Sequence, residues 1–195
     1  MTLYINCCPR SSSRTARLAE KLLKKLGEYE EIDPETEGLV PLNEERLNYR
    51  TDLIGKGDYS DDIFRYAKHF AAADTIVIAA PYWDLSFPSE LKTYIENIYV
   101  TGIVSRYGSD GKPQGLCRAK TLYYVTTAGG YYDERYSFDY IKELSENYFG
   151  INEAVLIKAE MLDIAGNDPE KILAECMEHY HLDCICFMRL KKYEE

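Results

Sequence analysis

The sequence predicts an α/β fold, a three-layer sandwich in which one five-stranded parallel sheet is covered by helices on both faces. Three observations carry this. Short β-branched and aromatic runs alternate with helical patterns along the chain, and strands separated by helices need crossover connections, which join parallel neighbours. The runs "TLYINCC" (2–8) and "TIVIAA" (75–80) are apolar enough to be buried on both faces. At 195 residues the chain can bury one sizeable core and is short for two, so residues 1–195 are expected to form a single domain.

Each element follows from its local pattern. After the first strand, "SSSRTARLAEKLLKKLG" reads as a helix with Leu18, Leu22, Leu23 and Leu26 on one face and Gly27 as its stop. A short strand, "YEEI" (29–32), follows. The acidic stretch from Asp33 to Asp58 carries Pro34, Gly38 and Pro41 and a helix near "NEERLNYRTDLI"; its low apolar content marks a surface excursion. Ser60 and Asp61 can cap "DDIFRYAKHFAAA", which leads into the strand 75–80. Pro88 suits the first turn of "PSELKTYIENIYV", and a loop holding Gly102, Gly108, Gly111 and Pro113 precedes the strand "KTLYYVTT" (120–127). The glycine turn "AGGYY", a helix from about Ser137 to Tyr148 stopped by Gly150, the strand "EAVLIKAEM" and a long helix opened by Asp168 and Pro169 complete the chain.

Composition narrows the partners. A net charge of −10 and a pI near 4.9 argue against nucleic acid or an anionic membrane, both of which need clustered Lys and Arg. The longest strongly apolar run, residues 75–83, is far shorter than the roughly 20 residues that span a bilayer. "MTLYINCC" shows no basic region or cleavage site of a secretory signal, so a cytoplasmic protein is expected, with its six cysteines reduced.

In an open parallel sheet, ligands sit beyond the carboxyl ends of the strands where strand order reverses. That rule selects three loops, "PRSSSRT", "PYWDLSFP" and "AGGYY", which are also the chemically unusual stretches. The first offers the hydroxyls of Ser11, Ser12, Ser13 and Thr15, the Arg14 guanidinium and the free N–H groups of a helix start, a set suited to a phosphate dianion. A serine-rich turn also serves simply as a cap. The second packs Pro81, Tyr82, Trp83, Leu85, Phe87 and Pro88 around Asp84, and the third sets Gly129 and Gly130 where backbone can approach a ligand.

Cys8 followed after five residues by Arg14 and Thr15 is also the spacing of a cysteine phosphatase loop, with Cys8 as nucleophile and Arg14 as clamp. Pro9 removes a backbone donor from such a loop, and no glycine lets it curl. A ligand with a phosphate at one end and a flat ring at the other uses all three loops together; flavin mononucleotide (FMN) is such a ligand. No dinucleotide or NTPase glycine motif is present.

The segments "PRSSSRT…LA", "AAPYWDLSFPSELKTYIENI" and "RYGSDGKPQGLCRAKTLYYVTTAGGYY" resemble the NAD(P)H-dependent FMN oxidoreductases of flavodoxin-like fold, the group of azoreductases and NAD(P)H quinone dehydrogenases, over most of residues 2–150. The resemblance implies phosphate contacts at Ser13, Arg14 and Thr15. It implies ribityl and ring contacts at Pro81, Tyr82, Trp83, Asp84 and Leu85 and at Thr127, Ala128, Gly129 and Gly130. It further implies FMN as cofactor, NADH or NADPH as co-substrate, a quinone, azo compound or similar flat acceptor, and a homodimer. No catalytic side chain is required, because the flavin carries the chemistry. A flavodoxin-type electron carrier is the nearest alternative and the phosphatase a more distant one.

Near the end, His179, His181, Cys184 and Cys186 are all of metal-ligating type. On a continuous helix they cannot close around one ion, because His181 and Cys184 leave the face shared by His179 and Cys186; a break in the helix here would make zinc possible, but small buried thiols are the expected reading and no metal site is expected.

Overall fold

The computed structural model describes residues 1–182. In chain order its elements are β1 (Thr2–Asn6), α1 (Arg14–Leu26), β2 (Tyr29–Ile32), α2 (Glu44–Gly55), α3 (Arg65–Ala72), β3 (Thr75–Ala79) and α4 (Ser89–Ile98). There follow β4 (Ser105–Tyr107), β5 (Pro113–Gly115), β6 (Thr121–Thr127), α5 (Phe138–Glu143), β7 (Glu153–Ala159) and α6 (Pro169–His179). Five strands form a parallel sheet in the order β2-β1-β3-β6-β7. The order reverses between β1 and β3, where the crossovers on the two sides of β1 diverge and leave a crevice at the carboxyl edge.

Strand alternation builds the two faces. Leu3 and Ile5 of β1, Ile76 and Ile78 of β3 and Leu122 and Tyr124 of β6 pack with Phe70, Leu91, Tyr94, Ile98 and Ile141 from α3, α4 and α5. Tyr4, Val77, Val125 and Ile157 point the other way, onto Leu18, Leu22 and Leu23 of α1 and Leu173 and Met177 of α6. The leucine stripe read from the sequence is therefore the buried face of α1, and Gly27, at φ 90°, ends that helix. α2 buries no residue, as a surface excursion should, and its first turn is capped by Asn43, whose side chain accepts from the Arg46 amide.

Several boundaries differ from the sequence reading. α1 begins at Arg14 because the Ser13 hydroxyl accepts from the Ala16 amide at 3.2 Å, which makes Ser13 the cap and leaves Ser11 and Ser12 in the loop. β1 ends at Asn6, although the Cys7 amide still donates to Ala79 O at 2.8 Å. The glycine-rich loop 102–119 contains the antiparallel pair β4–β5, too short to show periodicity. It lies against the turn of π-helix at Leu144–Phe149, where a Cβ on Gly115 would meet the Gly150 amide nitrogen at 2.1 Å, so only glycine permits this contact.

Asp168 and Pro169 open α6 as read, with the Asp168 carboxylate accepting from the amides of Glu170 and Lys171. The expected long helix stops at His179, and His181 adopts a left-handed φ of 53°. The continuous-helix geometry considered for the His/Cys cluster therefore does not hold beyond His179, and Cys184 and Cys186 lie outside the described residues. Among the described residues no group of three or more His, Cys, Asp or Glu is arranged to hold a metal. No helix among them is long and apolar enough to cross a membrane.

Candidate functional site

The carboxyl ends of β1, β3, β6 and β7 open into a cleft of about 420 Å³ that all three loops selected from the sequence line. The first loop runs from β1 to α1. A turn closed by the Ser13 amide on Arg10 O, 3.0 Å, aims Ser12, Ser13, Arg14 and Thr15 into the cleft. The first amides of a helix have no carbonyl partner within it, and the Ser13 side chain takes only that of Ala16, so the Arg14 and Thr15 N–H groups remain to face an anion. The Ser13 hydroxyl also lies within hydrogen-bond reach of the Cys8 thiol. The Thr15 hydroxyl is buried and shares a 2.6 Å hydrogen bond with the Thr127 hydroxyl.

The second loop is fastened to β6 by the Tyr82 amide, which donates to Thr127 O at 3.0 Å. Pro81, Tyr82 and Trp83 line the cleft. Trp83 and Ser86 then exchange two backbone hydrogen bonds of 2.8 Å across a tight turn, which forces Asp84 and Leu85 to left-handed φ values of 49° and 68°. Asp84 and Leu85 are exposed outside the cleft lining, Leu85 at 62%. The turn is braced by the Ser86 hydroxyl, which donates to Tyr136 O at 2.8 Å.

The third loop brings Thr127, Ala128 and Gly129 to the wall. Its carbonyls are taken by a fourth loop, after β7: the amides of Leu162, Asp163 and Met161 donate to Ala128 O, Gly129 O and Gly130 O at 3.2, 2.9 and 2.9 Å. With the carbonyls engaged, and among the described residues no acceptor for the Gly129 and Gly130 amides, those two N–H groups are the donors this turn can offer a ligand. Gly130 itself lies outside the lining, as does Ser11, which is exposed.

Four residues of the wall escaped the sequence reading. Pro9 and Arg10 sit in the quoted first loop, and the Arg10 guanidinium lies 5.7 Å above the Trp83 ring, a cation–π contact across the cleft mouth. Leu162 and Asp163 belong to the fourth loop. The edge rule reaches that loop once β7 is known to pair with β6, a fact of topology that the sequence does not display. Ser12, read as a hydroxyl of the loop, is also in the wall.

Cys8 is absent from the wall. Its thiol donates to Ala79 O at 3.6 Å, and burial pushes it up to about 11, opposite to the lowered value a nucleophile needs. Arg14 lines the cleft and is paired with Asp163 at 2.7 Å through one of its N–H groups, so it is Cys8 that speaks against the phosphatase reading. The cleft thus brings anion-type donors at the α1 N-terminus together with the aromatic ring of Trp83 and the 128–129 turn, while the Cys8 thiol sits behind the lining, beside Ser13 and Ala16.

Residues 1–182 match the family described as flavodoxin-like fold. The chain is 36% identical over 191 residues to FMN-dependent NADH:quinone oxidoreductase 2 of Clostridium acetobutylicum, covering 90% of this chain and 94% of that protein. It is 31% identical to FMN-dependent NADH:quinone oxidoreductase of Clostridium beijerinckii, covering 90% and 93%. Among solved structures, azoreductase from Bacillus anthracis str. Sterne superposes with a TM-score of 0.78 at 22% identity, covering 91% of this chain and 95% of that one. An FMN-dependent NADH-azoreductase from Bacillus anthracis str. Ames Ancestor, solved in complex with FMN, superposes with a TM-score of 0.75, also at 22%, covering 93% and 97%. These two share the fold. The extent and identity of the sequence matches show that the chain belongs to the flavodoxin-like fold family and, within it, to the family of the FMN-dependent NADH:quinone oxidoreductases.

Proposed function

We propose that this protein is an FMN-dependent NADH oxidoreductase acting on quinones, azo compounds or similar flat acceptors, with residues 1–195 as one FMN-binding domain. One observation carries the reading: a single cleft joins a helix N-terminus with Arg14 to an aromatic wall and a turn with two unengaged amides. That donor set fits a phosphate at one end and a heterocycle at the other. The relatives' names supply the reductant and the acceptor class.

In this reading the Arg14 and Thr15 amides, the Ser12 and Ser13 hydroxyls and the Arg14 guanidinium bind the phosphate. Pro81, Tyr82 and Trp83 hold the ring, with the turn at Asp84 and Leu85 supporting its edge. The amides of Gly129 and Gly130 donate to the ring and, being fixed in advance by the fourth loop, stabilise negative charge that develops there. Thr127 and Ala128 set the turn against β6, and Ser11 supports the loop from outside. FMN, when bound, supplies the chemistry by accepting hydride from NADH and passing it to the acceptor. The protein's part is to orient, and reductant and acceptor use the cleft in turn.

Two further parts of the reading rest on separate observations. Leu85, Tyr131 and Tyr136 are exposed beside the mouth, with Tyr131 at 83%, an apolar rim suited to a second copy of the chain, and we read the protein as a homodimer. Cys7, Cys8, Cys117 and Cys176 are free thiols, which suits the reducing cytoplasm.

The test is the visible spectrum of the protein reconstituted with FMN, mixed anaerobically with NADH and then with a quinone. Bleaching by NADH and return of colour with the quinone are expected. Bound flavin that NADH does not bleach would instead indicate an electron carrier, and a protein that binds no FMN would refute the reading.

A further inference from the structure

Asp163 stands between the two ends of the cleft. Its Oδ1 accepts from Arg14 Nη1 at 2.7 Å, while Oδ2 lies where a Cβ on Gly129 would meet it at 2.5 Å, so the carboxylate packs directly over the glycine. Its backbone is fixed as well, because the Asp163 amide donates to Gly129 O at 2.9 Å, between the bonds from Met161 and Leu162. A second ion pair anchors the same segment to α1: Arg17 meets Glu170 through two hydrogen bonds of 2.9 and 2.6 Å. Arg14 and Arg17 are three residues apart on α1 and so share a face, and both are spoken for by the segment after β7.

We infer that Asp163 is a positioning residue that aims the Arg14 guanidinium and thereby makes the site select a phosphorylated flavin over an unphosphorylated one. This rests on the flavin reading above. An arginine side chain carries much rotamer freedom, and ordering it opposes binding. The Asp163 backbone is held by its amide hydrogen bond to Gly129 O, so the ion pair narrows that freedom before the ligand arrives. It occupies one of the five N–H donors of the guanidinium and leaves the rest for an anion at the α1 N-terminus. Its own negative charge repels a phosphate, but Asp163 is 67% exposed, so that repulsion is screened by water. Water screens the ion pair too, and on this reading the ordering of Arg14 is the larger effect, which the titration below decides.

The experiment titrates the full-length protein, stripped of flavin, with FMN, riboflavin and lumiflavin by flavin fluorescence. These differ by the phosphate and then by the ribityl chain. Asp163→Ala is expected to weaken FMN about tenfold and riboflavin and lumiflavin by less than twofold. Arg14→Ala shows the same pattern, and the double variant is no weaker than Arg14→Ala alone, because the carboxylate acts through the arginine. Asp163→Asn, which keeps an acceptor oxygen for Arg14 and a near-identical shape over Gly129, recovers most of the FMN affinity. Equal weakening of FMN and riboflavin in both Asp163 variants would overturn the inference by reducing Asp163 to a support of the turn. Tighter FMN binding in those variants would overturn it by making Asp163 a competitor of the phosphate. Wild-type protein that binds none of the three flavins would refute the flavin reading itself.

Discussion

The Thr15 and Thr127 hydroxyls lie 2.6 Å apart between two buried residues and tie the first turn of α1 to the last residue of β6. One bond thus sets the distance between the helix start and the glycine turn. Thr15→Val leaves the Thr127 hydroxyl buried and unpaired, which costs about 1–3 kcal/mol, whereas Val at both positions recovers much of that loss. Urea unfolding of the flavin-free protein measures both. A double variant as unstable as the sum of the singles would show that the hydroxyls do not interact.

Gly129 and Gly130 respond differently to a methyl group. A Cβ on Gly129 meets Asp163 Oδ2 at 2.5 Å, while one on Gly130 meets nothing in the protein. Gly129→Ala is expected to turn the exposed Asp163 carboxylate away and loosen its pair with Arg14, at a cost to the flavin-free protein of about 1 kcal/mol or less. Gly130→Val should leave the melting temperature nearly unchanged, because the added side chain meets nothing in the protein, while lowering flavin content by standing beside the amide assigned to the ligand. Unchanged flavin content in Gly130→Val would remove that residue from the site.

Leu85 holds a left-handed φ of 68° in an exposed turn, a conformation that costs a leucine about 1–2 kcal/mol. Leu85→Asn relieves part of this, and a gain of about 0.5–1 kcal/mol in the flavin-free protein is expected from thermal unfolding. The same change should weaken FMN if the leucine is kept for its contact with the ring edge. A variant that is more stable and binds FMN as well as wild type would assign the strain to some other purpose.

Burial pushes the Cys8 thiol to about 11 from an ordinary 9.0, and Cys176 likewise to about 11. Between pH 9 and 11 the unfolded chain gives up these protons and the folded protein keeps them. The stability they provide is therefore complete below pH 9 and is lost as pH rises through that window. For Cys8 the loss is about 2–3 kcal/mol, and Cys8→Ala should flatten the stability profile there by a similar amount. Cys8→Ser should also leave FMN reduction by NADH intact. An aryl phosphate hydrolysed by wild type and not by Cys8→Ser would revive the phosphatase alternative.

Much of this molecule is legible residue by residue. The leucine stripe of α1, the Asp168–Pro169 start of α6 and the apolar runs of β1 and β3 follow from periodicity and capping, which depend on neighbours a few positions apart. Those patterns, with the rule that ligands gather at the carboxyl edge, are enough to name three of the loops around the cleft. The pair β4–β5, at three residues a strand, is too short for any period, and the stop of α6 at His179 carries no glycine or proline signal.

The sequence alone thus determines the strands of the main sheet and most of the helices, the faces these bury and which residue types can meet an anion and a flat ring. The tertiary structure decided which of those residues meet. Arg14 and Asp163 are 149 positions apart, and no local pattern links them. Their pairing arises because β7 lies beside β6, so that the segment after it lands on Gly129 and reaches the start of α1. Such contacts depend on strand order, a choice made by the packing of the whole sheet and not by any window of the chain.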